Sequence, residues 1–494
     1  MAVRTQVRTR TEKDWLGTRS VPASAYYGIE TARALENFPI SGLRSPAALV
    51  EACVRIKKAA AQANARLGLL GRRKASAIAA ACDEILAGGL RGEFVVDVFQ
   101  MGAGTSFHMN VNEVVANRAE ERLGGRRGAY RLIRPHDDVN MSQSTNDVYP
   151  TAMRLASLLL LRDRLRPALV GLERSLGRKA REFDRVLKSG RTHLQDAVPI
   201  RLGQEFAAYR GALARSREAV DLAARPLREL GIGGSAVGTG LNTHPAFAAL
   251  VVRRLAAETG LRLVVAGDRV EAMQSLGPFA GLSASLRNLA LELNRIANDL
   301  RLLASGPRTG LAEIRLPAVA PGSSIMPGKT NPSLLEMLNQ VCYQAMGCDL
   351  AVAAAVQAGE LELNVMMPVV AYNLLWMMDI MANAVRVVAA RAIDGIEADR
   401  QRCRAYAEAS PGLATALSPL IGYAAAAEVA REAIRTGTSI ADVVLGRGLL
   451  APAELRRVLD PSAMTRPGIP ALGPGSRAGS RRTSSRRTRG RRRP

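Results

Sequence analysis

The sequence predicts a mostly α-helical protein organised around long helices packed side by side. Three observations predict it. Hydrophobic residues make up 48% of the 494 residues and aromatics only 4%, with Ala and Leu prominent, a balance that favours helix over strand. Leu282, Leu286, Leu289, Leu293, Ile296, Leu300 and Leu303 recur at alternating steps of four and three, a heptad seam typical of helices crossing at a shallow angle. Finally, long helical patterns alternate with polar loops along the middle of the chain, which describes a bundle.

The elements follow in order. Pro22, Gly28, Pro39 and Gly42 break residues 1–45 into short pieces. A helical pattern covers 46–90, interrupted at 68–73. Residues 99–112 read as a polar loop leading into a helix over 113–123. A basic turn at 124–130 and a polar loop at 134–146 follow. The pattern over 151–186 is helical with a bend expected at Pro167, because proline breaks the ladder. Residues 188–199 read as a loop, and 203–230 as helix. The stretch 231–245 holds Gly231, Gly233, Gly234, Gly238 and Gly240. No strand is expected before it, so a dinucleotide loop is disfavoured. The heptad helix spans 277–305, and Leu291 and Leu302 widen its seam toward more than one neighbour. Helices over 334–358 and 369–393 follow a polar loop at 322–331, and shorter helical pieces continue to about 474. The domains read as 1–145 (mixed and helical), 146–394 (central bundle), 395–475 (small and helical) and 476–494 (arginine-rich tail).

Composition excludes several classes. The five cysteines at 53, 82, 342, 348 and 403 form no CxxC pair, so neither a disulfide framework nor a zinc site is expected. The four histidines are at 108, 136, 193 and 244, none paired at helical spacing, so no metal is expected, and there is no P-loop. Neither a secretory signal nor a membrane-spanning run is read, which makes a cytoplasmic protein the expectation. Net charge is +24, and nine arginines in 476–494 leave +15 for the rest (24 less 9). The tail is low-complexity and reads as disordered; contact with a polyanion has only the tail to support it.

Four polar loops stand out, at 102–112, 142–146, 191–196 and 322–331. Singly, each reads as capping and turn chemistry: Ser144, Thr145 and Asn146 as helix caps, His193 as structural, Lys329 as solvated. Together they supply Thr105, Ser144, Thr145, Asn146, Thr192, His193, Ser323, Ser324, Lys329 and Asn331. That is a set of hydrogen-bonding groups with one fixed cation, suited to a small polyanion.

The loop GSSIMPGKTN at 322–331, with GRTHLQDAVPIRLGQEF at 190–206, SQSTND at 142–147, GAGTS at 102–106 and IANDLRLLASGPR at 296–308, resembles the aspartase/fumarase superfamily from about residue 10 to 468. The resemblance implies a three-domain subunit whose long central helices form a homotetrameric bundle, with sites shared between subunits and no cofactor. It implies reversible β-elimination from a four-carbon dicarboxylate to fumarate, through a carbanion held as an aci-carboxylate. It assigns Ser323 as the base on a mobile loop. Thr105, Ser144, Thr145 and Ser324 then hold the β-carboxylate, and Thr192, Lys329 and Asn331 the α-carboxylate. Asn146 and His193 lie near the leaving group, with Glu336 as partner of the histidine across a subunit boundary.

ALENFPISG at 34–42, Thr145, Leu194, Ala103 and LNQVCYQAMG at 338–347 look more like aspartases than fumarases. This implies L-aspartate as substrate and ammonia as leaving group. A class II fumarase, or a specialised lyase acting on an aspartate derivative, is the alternative. There are departures from the family pattern. Arg134-Pro135-His136-Asp137 stands for HPND, and His108-Met109-Asn110 for NMN; both are expected beside the chemical residues rather than among them. Met367 stands where aspartases tend to have Glu and fumarases Lys. From a different class of function, nucleic-acid binding by an inactive lyase body has only the tail in its favour.

Overall fold

The computed structural model describes residues 8–470; the arginine-rich tail lies outside the described residues. A hairpin, β1 (Thr9–Asp14) and β2 (Gly17–Pro22), precedes a run of helices: α1 (Ile29–Asn37), α2 (Ala47–Arg66), α3 (Arg72–Leu86), α4 (Thr105–Arg122), α5 (Thr145–Leu160) and α6 (Arg166–Glu182). A second hairpin, β3 (Leu187–Thr192) and β4 (Gln195–Arg201), leads to α7 (Leu202–Ala223). Next come β5 (Glu229–Leu230), α8 (Phe247–Thr259), β6 (Val264–Val265), α9 (Arg269–Gln274) and the long α10 (Gly277–Leu303). Two more long helices follow, α11 (Ser333–Gln357) and α12 (Met367–Arg391), and then shorter pieces led by α13 (Arg400–Ala409). The architecture is mostly α, as the sequence predicts.

The chain divides into two compact units. Among the described residues, the first gathers 8–175, Tyr209–Arg301 and Pro317–Gly395; the second gathers Leu176–Ala208, Leu302–Leu316 and 396–470. In the first unit α10 and α11 run antiparallel, since Ser283 pairs with Asp349 and Asn294 with Asn339. Ser283 Oγ donates to Asp349 Oδ1 at 2.6 Å, and Asn339 Nδ2 donates to Asn294 Oδ1 at 2.6 Å. All seven heptad positions are buried. Leu291, by contrast, is 48% exposed on the same helix, and Tyr343 and Leu350 are exposed on α11. The second unit has its own core, which includes Leu413, Leu417, Val429, Ile440, Val444, Leu455 and Val458.

Five local expectations are corrected. Residues 105–112 are not a loop: α4 begins at Thr105. Its polar residues hid a helix because they are buried braces. Asn110 accepts from Val95 N–H and donates to the Glu93 carbonyl, and Glu113 accepts from the N–H groups of Gly28, Glu30 and Thr31. The break near Pro167 comes earlier, as a π-helical turn over Leu161–Leu165. Residues 188–199 form the β3–β4 hairpin; Gly190 in one strand and Pro199 in the other are loop signals that hid it. The glycine-rich stretch is preceded by a strand after all, β5, which pairs in parallel with β6. The fifth correction concerns α12. By length and composition Met367–Gly395 is apolar enough to cross a membrane. Much of the helix is buried in the first unit, with Val370, Leu374, Met378 and Val385 almost fully covered.

Candidate active site

Two helix beginnings meet in the first unit. Residues Gly102–Gly104 form a tight turn in which Ala103 and Gly104 both take positive φ, at 60° and 81°. Ala103 N–H donates to the Val365 carbonyl at 2.8 Å. A side chain on Gly104 would overlap the Tyr149 ring, so only glycine lets the turn lie this close to α5. One turn further on, Phe107 packs edge-on against Tyr149, with ring centroids 5.8 Å apart. The first turns of α4 and α5 are thereby locked together. Each presents the positive end of its dipole, which attracts anions, although Phe107 N–H is already held by Gln100 Oε1 at 2.7 Å and Asn146 N–H by Ser144 Oγ.

The start of α5 is a capping box. Ser144 Oγ accepts Asn146 N–H at 3.2 Å, and Asp147 Oδ1 accepts Ser144 N–H at 2.9 Å. The capping role that the sequence allowed for Ser144 is therefore real. Asp147 Oδ2 also accepts Gly233 N–H at 2.9 Å and Ser235 N–H at 3.0 Å. The glycine-rich loop thus gives these N–H groups to a buried carboxylate rather than to a phosphate. Burial pushes the Asp147 carboxyl up to about 6. Asn146 reaches the same loop, its Nδ2 donating to the Ala236 carbonyl at 2.9 Å.

Beneath Thr145 lies a polar cluster that the sequence reading missed. Thr145 Oγ1 is 2.7 Å from Nδ1 of His108, and His108 Nε2 is 2.5 Å from Nζ of Lys57. Lys57 also donates to Asn140 Oδ1 at 2.9 Å and Gln143 Oε1 at 3.0 Å. Lys57 is fully buried. Desolvation holds its ammonium down to about 8, and burial beside Lys57 keeps His108 well below the usual histidine range. Two signals could have revealed the cluster. Lys57 shares one α2 face with buried Cys53, Ala60 and Asn64, where a lysine is out of place, and His108 departs from the family pattern. His108 lies beside the assigned residues, as expected, and bonds one of them, Thr145, directly. His136 instead pairs with Glu30 at 2.6 Å, and Arg134 with Asp137 at 3.2 Å. Met367 is fully buried at the start of α12, two residues beyond Val365.

The 322–331 loop also belongs to the first unit and closes on itself. Gly322 N–H donates to the Lys329 carbonyl at 2.7 Å, and Asn331 Nδ2 donates to the Gly322 carbonyl at 2.7 Å. A Cβ on Gly322 would lie 2.7 Å from that Lys329 oxygen. Ser323 Oγ accepts the N–H groups of Ile325 and Met326 at 3.2 and 2.9 Å. Ile325, at 83% exposure, heads an apolar tip. Glu336 stands half-buried in the first turn of α11.

Thr192 and His193 belong to the second unit, at the tip of the β3–β4 hairpin. His193 and Leu194 both take positive φ, at 56° and 60°, which glycine or asparagine normally supplies in such turns. Below the tip, Arg191 Nη1 reaches Glu313 Oε2 at 2.9 Å. Among the described residues, the side chains of Thr105, Thr192, His193, Ser324, Lys329 and Glu336 have no hydrogen-bond or ion-pair partner. No such bond joins the 322–331 loop to the starts of α4 and α5.

Comparison with known proteins supplies the family. Residues 17–347 match the family described as "Lyase", and 413–466 match "Fumarase C C-terminus". The chain belongs to the aspartase/fumarase superfamily and is a lyase. It is 48% identical over 464 residues to an aspartate ammonia-lyase of Bacillus subtilis (strain 168), covering 94% of this chain and 98% of that protein. It is 49% identical over 460 residues to a class II fumarate hydratase of Halobacterium salinarum, covering 93% and 98%. The crystal structure of a fumarate lyase:delta crystallin from Brucella melitensis bound to cobalt superposes with a TM-score of 0.90. It is 50% identical in sequence, covering 93% of this chain and all of that one. The two substrate classes among its relatives are thus equally similar to this superfamily member.

Proposed function

We propose that this lyase is an aspartate ammonia-lyase. Ser323 removes a proton from the Cβ of L-aspartate, and the electron pair enters the neighbouring carboxylate as an aci-form. That pair then forms the C=C bond while the C–N bond breaks, releasing ammonia and fumarate. The observation that carries the reading is the pair of N–H groups donated to Ser323 Oγ. A serine is a base only as its alkoxide, and donors aimed at that oxygen stabilise the charge. Thr105, Ser144 and Thr145 hold the β-carboxylate over the two helix beginnings, with Ser324. Thr192, Lys329 and Asn331 hold the α-carboxylate, while Asn146, His193 and Glu336 serve the leaving group. The open side chains of Thr105, Thr192, Ser324 and Lys329 support the carboxylate-binding roles, since unpaired donors are what a dianionic substrate would fill.

The active form is proposed to be a homotetramer with sites shared between subunits. The exposed Leu291, Tyr343 and Leu350 on the outward side of α10 and α11 support it. Resemblance at Ala103, Thr145 and Leu194 favours ammonia over water as the leaving group. The test is a substrate screen by fumarate absorbance. L-Aspartate should yield fumarate and ammonia. No product from aspartate, with rapid interconversion of malate and fumarate, would overturn the reading in favour of a fumarase. Turnover of an aspartate derivative alone would point to a specialised lyase.

A further inference from the structure

The cluster beneath Thr145 has a defined proton count. A lysine ammonium has three donors and no acceptor. Lys57 Nζ faces three acceptors: His108 Nε2 at 2.5 Å, Asn140 Oδ1 at 2.9 Å and Gln143 Oε1 at 3.0 Å. Each ammonium proton has one partner, so a fully buried charge is satisfied without a carboxylate against it. His108 Nε2 must then accept, which leaves the neutral ring its proton on Nδ1. That proton points at Thr145 Oγ1, 2.7 Å away. A hydroxyl that accepts from below keeps its own proton for a partner above.

We propose that His108 is a positioning residue, which fixes the Thr145 hydroxyl as a donor toward the substrate carboxylate by relaying the donor direction of Lys57. This rests on the lyase reading above, in which Thr145 touches the substrate. With the opposite tautomer, the His108 ring would accept from Thr145, and the hydroxyl would turn a lone pair toward an anion. An electrostatic misfit would replace a hydrogen bond. The burial that keeps His108 neutral agrees with the assignment. The relay also explains how a histidine can occupy this place. An asparagine would do the same work, with its carbonyl oxygen accepting from Lys57 and its amide donating to Thr145.

Two measurements test it. With L-aspartate or whichever substrate the screen identifies, His108→Leu should lower kcat about tenfold or more with a smaller effect on KM, since a donor to the carboxylate that takes up the aci-form charge is lost. His108→Asn should restore kcat to within a few-fold. Adding Thr145→Val to His108→Leu should cost little more, because both act through one hydrogen bond. Additive losses, or failure of asparagine to rescue, would overturn the proposal. The second measurement needs no activity. In protein carrying nitrogen-15 histidine, the four histidines are distinguished by variants, and His108 should show a protonated Nδ1 and a bare Nε2 at about pH 7. A protonated Nε2 would overturn the relay. If neither aspartate nor malate is turned over by the wild-type protein, the functional reading fails while the spectrum still judges the relay.

Discussion

Ser323 Oγ accepts the backbone N–H of Met326 across 2.9 Å, within a loop whose ends are tied by Gly322 and Lys329. The hydroxyl is therefore held by its own loop and not by the rest of the chain. Ser323→Ala should leave the fold and the binding of a succinate-like inhibitor intact, while lowering kcat by roughly a hundredfold or more. Inhibitor titration beside steady-state kinetics checks it. Near-normal turnover would remove Ser323 from its role.

Lys57 predicts a pH effect. The titratable groups around it are Cys53 on its own helix, Cys82 on α3, His108 on α4 and Asp147 on α5. With the ammonium lowered from 10.5 to about 8, activity should fall on the alkaline side as the third donor is lost. The linkage runs the other way for stability. The unfolded chain binds this proton more tightly, so between about pH 8 and pH 10.5 the contribution of this group favours folding increasingly as pH rises. Activity should thus decline above about pH 8 without a parallel fall in Tm caused by Lys57. Thermal melts and rates across the same buffers separate the two.

In the second unit, Glu313 is fully buried and faces Arg191 at 2.9 Å and Lys188 at 3.2 Å. Glu313→Ala leaves the covered Arg191 guanidinium facing a void and Lys188 with Glu205 as its one remaining carboxylate, at 2.8 Å, which should cost about 3–5 kcal/mol. Glu313→Gln keeps the shape and two acceptor lone pairs and should cost less. Calorimetry should rank them in that order; an alanine variant as stable as wild type would refute the account.

The hairpin tip makes the opposite kind of prediction. Leu194 sits at φ 60° with 71% of its surface exposed, so it gains little from burial and bears backbone strain. Leu194→Gly should stabilise the protein by about 1 kcal/mol. It should also lower turnover several-fold by loosening His193 beside it. A variant that is both more stable and fully active would show that the strain has no part in the reaction.

The amino-acid sequence alone determined the helical architecture, because a heptad seam leaves its apolar stripe visible in the order of residues. It also singled out the 322–331 loop, since Gly322, Pro327 and Gly328 forbid a continuous helix there. Ser144 could be read as a cap for the same local reason. What the sequence hid depended on contacts between distant segments. Residues 105–112 look like a loop until Asn110 and Glu113 are seen bracing segments around Glu93 and Gly28. The β3–β4 hairpin has no apolar alternation, and is held instead by Arg191 and Lys188 on Glu313. Lys57, His108 and Thr145 lie on three helices far apart in the chain, and only packing put them 2.5 and 2.7 Å apart. Local propensity and periodicity act over a turn or two, so they are written along the chain. A buried proton's direction is decided by whichever partners the tertiary structure brings to it.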